Sequence, residues 1–296
     1  MKGIQNVLIV SLGLMLVSCS PNTPLETSLT AMTFNIRLNL PSDGDNAWPN
    51  RKEMAASMIR YNAPDIFGVQ EAFLGQVNDL AQRLPGYNWI GVGRDDGKQA
   101  GEYMAIFYLK GRLELLREDT FWLNEHPESP GLGWDAAYNR VVTWGQFKDL
   151  KTGESFYHFN THFDNRGEVA RQESARLLLS KIQTIAGAVP FILTGDFNTH
   201  PDSEPYRILT ASDLLIDTKT ISQTPHHGPS RTMNNFDLES LKTTEPPIDY
   251  IFVSKQFGVL KHATLSDTFN GYFPSDHMPV MAQVTIEAKG SPGETN

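Results

Sequence analysis

The chain has a single cysteine among 296 residues, and that residue, Cys19, stands near the beginning. An intramolecular disulfide is therefore excluded, and so is a zinc site built on a cluster of thiolates. No His-Glu-x-x-His segment is present either, which removes the helical zinc-hydrolase pattern. No apolar run reaches the roughly 20 residues a membrane-spanning helix needs. Basic residues are also short: 25 Lys and Arg face 34 Asp and Glu, for a net charge of -9 without any Lys/Arg block. Such a surface repels polyphosphate backbones, so nucleic acid is a disfavoured partner, although a local basic strip would permit it.

What is present begins with an export pattern. A basic Met-Lys-Gly start leads into an apolar stretch from Val7 to Val17 and then Leu16-Val17-Ser18-Cys19. The length and order are those of a signal peptide. The last four residues resemble a bacterial lipobox, which implies cleavage before Cys19, diacylation of its sulfur, and anchoring to a cell-envelope membrane outside the cytoplasm. Residues 1–18 are thus read as signal peptide and 19–28 as a Pro-containing tether. Residues 29–287 form the folded domain, and 288–296 a flexible tail. Nothing in the sequence requires more than a monomer.

Within the domain, short apolar runs end abruptly in polar side chains. Phe191-Ile192-Leu193-Thr194-Gly195-Asp196-Phe197-Asn198 reads as a buried strand whose end carries Asp196 and Asn198 on one side. Leu29 to Arg37, with Asn35 near its end, and Asp65 to Glu71 repeat that design. So do Ser155 to His162, Ile248 to Val253 with Asp249, and the approach to Val280 with Asp276-His277. Further strands are expected over 87–92, 104–109, 113–123, 141–148 and 259–268. Helices are expected around Met54 to Ile59, over 76–84, from Glu168 through Ile182, and over 203–210. Residues 39–50 read as loop, and 213–247 as the least regular segment. Strands outnumber helices throughout one continuous core, so the class is α/β with mixed sheets.

Any one of these polar residues can be a turn former closing its strand. Six such placements together point to a site assembled at strand ends. Glu71, Asp196 and Asp276, with amide oxygens, are hard ligands suited to Mg²⁺ or Mn²⁺. His162 and His277 supply donors for the charge that builds on a phosphate under attack, and Asp249 bonded to His277 would keep that ring oriented and protonated.

The segments Thr33-Phe34-Asn35-Ile36-Arg37, Gln70-Glu71, Asn160-Thr161-His162-Phe163-Asp164, Gly195-Asp196-Phe197-Asn198, Ile248-Asp249-Tyr250-Ile251 and Ser275-Asp276-His277 resemble, in order, those of the endonuclease/exonuclease/phosphatase superfamily. The resemblance implies a four-layer sandwich, two packed mixed sheets with helices outside, and a divalent-metal-dependent phosphoester hydrolase using a metal-activated water. By the same resemblance Glu71 is the main metal ligand with Asn35 assisting and Asp276 at the metal or leaving-group side. Asp196 would deprotonate the water, and Asn198 and His162 would hold phosphate oxygens. Asn160-Thr161-His162 and Arg37 place the chain nearer the sphingomyelinase-like, deadenylase-like and inositol-phosphatase-like branch than the DNA-repair members. The expected substrate is a small-molecule or lipid-derived phosphoester. The alternatives are an extracytoplasmic nuclease and, from another class, a non-catalytic ligand-binding surface lipoprotein. Within that branch the chain looks most like bacterial exported proteins, from whose pattern Leu38-Asn39-Leu40 and Met233-Asn234-Asn235-Phe236 depart.

Arg140 and Arg166 are candidate substrate contacts, because a guanidinium grips phosphate with a two-pronged fork. Trp134 is a candidate stacking surface for a base, sugar or headgroup. Trp122, Trp144, Tyr103 and Tyr108 lie in or beside strand-like runs and read as packing, and His226-His227 as a solvated loop pair.

Overall fold

The computed structural model describes residues 27–286, so the signal peptide, Cys19 and the tail fall outside the described residues. Two six-stranded sheets pack face to face. The first contains β1 (Leu29–Asn35), β2 (Ile66–Gln70), β3 (Tyr87–Ile90), β4 (Ile106–Leu109), β11 (Phe257–Thr264) and β12 (Val280–Ile286), in the order β11-β12-β1-β2-β4-β3. The second contains β5 (Leu113–Trp122), β6 (Val141–Asp149), β7 (Ser155–His162), β8 (Phe191–Asp196), β9 (Ile216–Asp217) and β10 (Asp249–Val253), in the order β5-β6-β7-β8-β10-β9.

Strand alternation decides the layers. In β1 and β2, Ala31 and Ile66 face the other sheet, where they meet Phe156, Ile192 and Ile251. Their neighbours Met32, Phe34, Phe67 and Val69 point outward onto Ala55 and Ile59 of α1 (Trp48–Asn62) and Val77 and Leu80 of α2 (Leu74–Arg83). On the second sheet, Tyr157, Phe159, Leu193 and Phe252 point outward onto Leu178 and Ile182 of α3 (Glu168–Ala186) and Leu209 of α4 (Glu204–Thr210). The period of two along each strand therefore yields helix, sheet, sheet, helix, the architecture expected.

Several element boundaries differ from the sequence reading. The loop expected over 39–50 gives way to helix at Trp48, because Pro49 sits in the first turn, where its missing N–H costs nothing. The irregular segment 213–247 holds β9 and the one-turn α5 (Thr218–Ile221), capped by the Asp217 carboxylate accepting from the Lys219 N–H at 2.8 Å.

Topology fixes where the site lies. Each sheet is built around one parallel pair, β1 with β2 and β7 with β8, whose C-terminal ends leave the sheet on the same side. The neighbours β12 and β10 run antiparallel, so their N-terminal ends arrive there too, with Asp249 opposite Asp196. Polar groups therefore collect at one edge of the sandwich.

Beneath that edge the inter-sheet layer changes from apolar to hydrogen-bonded. Gln70 Nε2 donates to Thr33 Oγ1 at 3.1 Å and Asn160 Oδ1 at 2.7 Å, and Thr194 Oγ1 donates to Asn160 Oδ1 at 3.0 Å. His158 Nε2 lies 2.8 Å from Thr194 Oγ1, and its burial between the sheets pulls the ring down to about 3, so it is neutral. The sheets close over Gly68, where a Cβ would lie 2.2 Å from Asn160 Oδ1. Only glycine permits that approach.

Candidate active site

Three of the residues that follow the central strands take the left-handed conformation: Arg37 at φ 56, Glu71 at φ 63 and Asn198 at φ 47. For non-glycine residues this is uncommon, and its concentration here marks a place where surrounding contacts hold the backbone against its preference. Those contacts are visible. Asn35 Oδ1 accepts the Arg37 N–H at 3.0 Å, Glu71 Oε2 the Leu38 N–H at 3.2 Å, and Asp196 Oδ1 the Asn198 N–H at 2.9 Å.

Arg51, fully buried in α1, ties the same loops together. Its Nη1 donates to the carbonyls of Ile36 at 2.9 Å and Pro274 at 2.8 Å, its Nη2 to Arg37 and its Nε to Asn46. The guanidinium lies over the rings of Trp48 and Phe236, and burial draws its pKa down to about 10. One cation thereby links the loop after Asn35 to the loop before Asp276-His277.

The side chains converge on Asp196. Asn35 Nδ2 bridges Glu71 Oε1 at 2.9 Å and Asp196 Oδ2 at 3.0 Å. His162 Nε2 is 3.4 Å and His277 Nε2 3.8 Å from the same Asp196 oxygen. Burial, reinforced by Asp249, pushes the Asp196 carboxyl up to about 7. His277 behaves oppositely. Burial alone would lower it, but Asp249, whose Oδ2 accepts from Nδ1 at 2.9 Å, raises it well above the ordinary value, so the ring is an imidazolium.

His162 is neutral: burial and then the positive field of Arg140 and Arg94 hold it well below its usual value. Asn198 Nδ2 donates to the Phe163 carbonyl at 3.0 Å, which fixes the amide orientation, and lies 3.0 Å from His162 Nε2. That ring nitrogen is therefore the acceptor, and the ring proton sits on Nδ1. Asp276 lies 3.6 Å from the Arg37 guanidinium, and burial raises its carboxyl.

One ligand atom each from Glu71, Asp196 and His277 lie within 4.8 Å of one another, a spacing that suits a divalent cation. The oxygens of Glu71 and Asp196 could hold such a cation, with His277, whose Nδ1 is paired with Asp249, standing beside them as a hydrogen-bond donor. The sequence reading gave this role to Glu71, Asn35 and Asp276. In the fold the Asn35 amide links the two carboxylates through its NH₂, with its oxygen taken by the Arg37 backbone, and Asp276 faces Arg37.

These groups open into a cleft of about 410 Å³. Its walls include Arg37, Glu71, His162, Asp196, Asn198, Asp276 and His277, and on the far side Arg94, Glu102, Tyr138 and Arg140. Asp249 stands behind His277. Trp134, half-buried with its backbone N–H donating to the Glu125 carboxylate at 3.3 Å, is not among the lining residues. Nor is the exposed Arg166, whose guanidinium lies 6.0 Å from the Tyr138 ring. Trp122, Trp144, Tyr103 and Tyr108 are buried in the cores. His226, read as solvated, instead pairs with His262 at 2.8 Å. Sequence reasoning missed Arg94, Glu102 and Tyr138, which lie outside the strand-end pattern.

Comparison with known proteins agrees with this geometry. Residues 32–277 match the model of the endonuclease/exonuclease/phosphatase family. A family structure from Bacteroides vulgatus superposes with a TM-score of 0.84 and 40% identity, covering 88% of this chain and 100% of that one. A mannosyl-6-phosphatase from Bacteroides thetaiotaomicron gives 0.82 and 40%, covering 87% and 99%. Nocturnin from Drosophila melanogaster is 24% identical over 81% of this chain and 42% of its own length. With its sheet order, its strand-end carboxylates and histidines, and a match spanning nearly the whole described domain, the chain belongs to the endonuclease/exonuclease/phosphatase family.

Proposed function

We propose that the protein is a Mg²⁺-dependent phosphoesterase acting on small phosphoesters, sugar phosphates first among them. The observation that carries this reading is the buried Asp196 carboxylate flanked by Glu71 and the His277–Asp249 pair at the base of a small cleft. The 40% identity to a mannosyl-6-phosphatase over nearly all of that chain supports the substrate class. Mg²⁺ is favoured over softer ions because the ligands are carboxylate oxygens. A cation held through Glu71 would supply Lewis-acid stabilisation of the charge building on the phosphate. Asp196 Oδ2 is placed to take the proton of an attacking water, and His277 Nε2–H to donate to a phosphate oxygen. Asn198 and His162 flank the same position.

Inorganic phosphate release from mannose 6-phosphate and a panel of sugar phosphates tests the reading. Turnover is expected with Mg²⁺ and is lost on chelation. Glu71→Gln, which removes one ligand charge, should weaken Mg²⁺ binding in calorimetry by about tenfold or more. Turnover in excess chelator, or unchanged Mg²⁺ affinity in Glu71→Gln, would rule the metal assignment out.

The membrane anchor is a separate proposal, supported by the lipobox-like residues 16–19. Labelled fatty acid should enter the full chain in a bacterial host and be absent from Cys19→Ala. Equal labelling of both would end it.

A further inference from the structure

Arg94 and Arg140 stand side by side on the cleft wall beyond His162, only 7% and 3% exposed. Both are fixed from behind: Arg94 Nη1 donates to Glu102 at 2.6 Å, with Asp95 3.9 Å from its Nε, and Arg140 donates through Nε to Asp164 at 3.3 Å and through Nη2 to Asn165 at 3.4 Å. The Tyr138 ring lies 5.3 Å from the Arg94 guanidinium and 5.6 Å from that of Arg140. Donors remain unused: Arg140 Nη1 and Arg94 Nε are buried without a hydrogen-bond partner. Two like charges held together out of water, with unpaired N–H groups, are costly in the free protein. Burial and then Arg94 lower the pKa of Arg140, in keeping with that cost. An anion seated in the cleft offsets it.

We propose that Arg140, with Arg94 alongside, recognises the second negative charge of a terminal phosphate and makes the enzyme a phosphomonoesterase. This inference rests on the phosphoesterase reading above. A monoester dianion has a third non-bridging oxygen to offer the guanidinium pair. A diester presents an ester carbon chain at one of those oxygens and leaves an arginine N–H buried and unpaired.

The experiment compares p-nitrophenyl phosphate with methyl p-nitrophenyl phosphate, which share a leaving group and differ by one charge, on wild type, Arg140→Gln and Arg140→Lys. Wild type is expected to favour the monoester. In Arg140→Gln the monoester-to-diester ratio of kcat/KM should fall by about 10- to 100-fold, with Arg140→Lys in between. Equal losses on both substrates, or a wild type that favours the diester, overturn the proposal while leaving a phosphoesterase. Hydrolysis of neither substrate by the Mg²⁺-loaded wild type overturns the underlying reading as well. Should Arg140→Gln fail to fold, wild-type inhibition decides: inorganic phosphate should bind at least about tenfold tighter than dimethyl phosphate, and equal affinities refute the assignment.

Discussion

Asp196→Asn should lower kcat by about 10³- to 10⁴-fold while leaving the protein folded, at least as heat-stable as the wild type in the metal-free state. The substitution is isosteric, so the packing of β8 is kept. Its chemistry is not. The wild-type carboxylate uses Oδ1 for the Asn198 N–H and presents Oδ2 to Asn35, His162 and His277. An amide satisfies the first contact only by turning its NH₂ toward the Asn35 NH₂, and it can accept no proton from water. Stability moves the other way, because a buried carboxyl beside Asp249 is held above its ordinary range.

The sign follows from proton binding. Between the unfolded value of 3.8 and the folded value of about 7, the native state binds more protons than the unfolded one. Wild-type stability therefore falls as pH rises through that window, and the variant lacks the slope. Its advantage grows from about pH 4 to about pH 7 and then levels off. Thermal melts in chelator at several pH values, read against single-turnover rates with Mg²⁺, check both halves. Activity within tenfold of wild type would remove Asp196 from the chemistry. A melting point well below wild type at pH 8 would refute the account of its burial.

The strand ends were legible in the sequence because a buried strand is an apolar run, and a polar residue stopping one is visible without knowing the fold. Asn35, His162, Asp196 and Asp249 mark such ends, Glu71 follows one directly, and the topology gathers them at one edge. What the sequence could not convey was direction. Residue type alone does not tell which atom of the Asn35 amide faces the site: a left-handed Arg37 turns its own N–H onto the oxygen, and the NH₂ faces the carboxylates. Trp134 also has positive φ, at 50°, and residue spacing in a loop does not reveal where such a side chain points. Arg94 and Glu102 sit on turns flanking a tight Gly-containing loop, and they reach the cleft only because the β3–β4 connection folds back, Arg94 N–H to Glu102 carbonyl at 3.0 Å. No local period records that approach. Arg51 shows the same limit from the helix side: a basic residue one position from Lys52 reads as solvated surface, and only the four carbonyls it meets make it internal.

Asp249→Asn should reduce kcat by about 10²- to 10⁴-fold with little change in KM, through His277 rather than through any contact with substrate. Asp249 is 3% exposed, and its Oδ2 is the partner of His277 Nδ1, while Oδ1 is buried without a partner. An asparagine can still accept from Nδ1–H, but its NH₂ then occupies the unpartnered position and the negative charge that sustains the imidazolium is gone. His277, fully enclosed and otherwise pulled down by burial, should lose its proton at lower pH. Because the folded value of His277 lies above its unfolded 6.5, the pair's stabilisation is complete below that pH and is lost as pH rises through the folded value. In the variant the alkaline limb of kcat/KM should accordingly shift to lower pH, and residual activity should be greatest on the acid side. A pH–rate profile with imidazole NMR of His277 reads this directly. An unchanged alkaline limb, with the ring still protonated in Asp249→Asn, would mean that Asp196 and Asp276 suffice to hold the proton and that Asp249 serves packing alone.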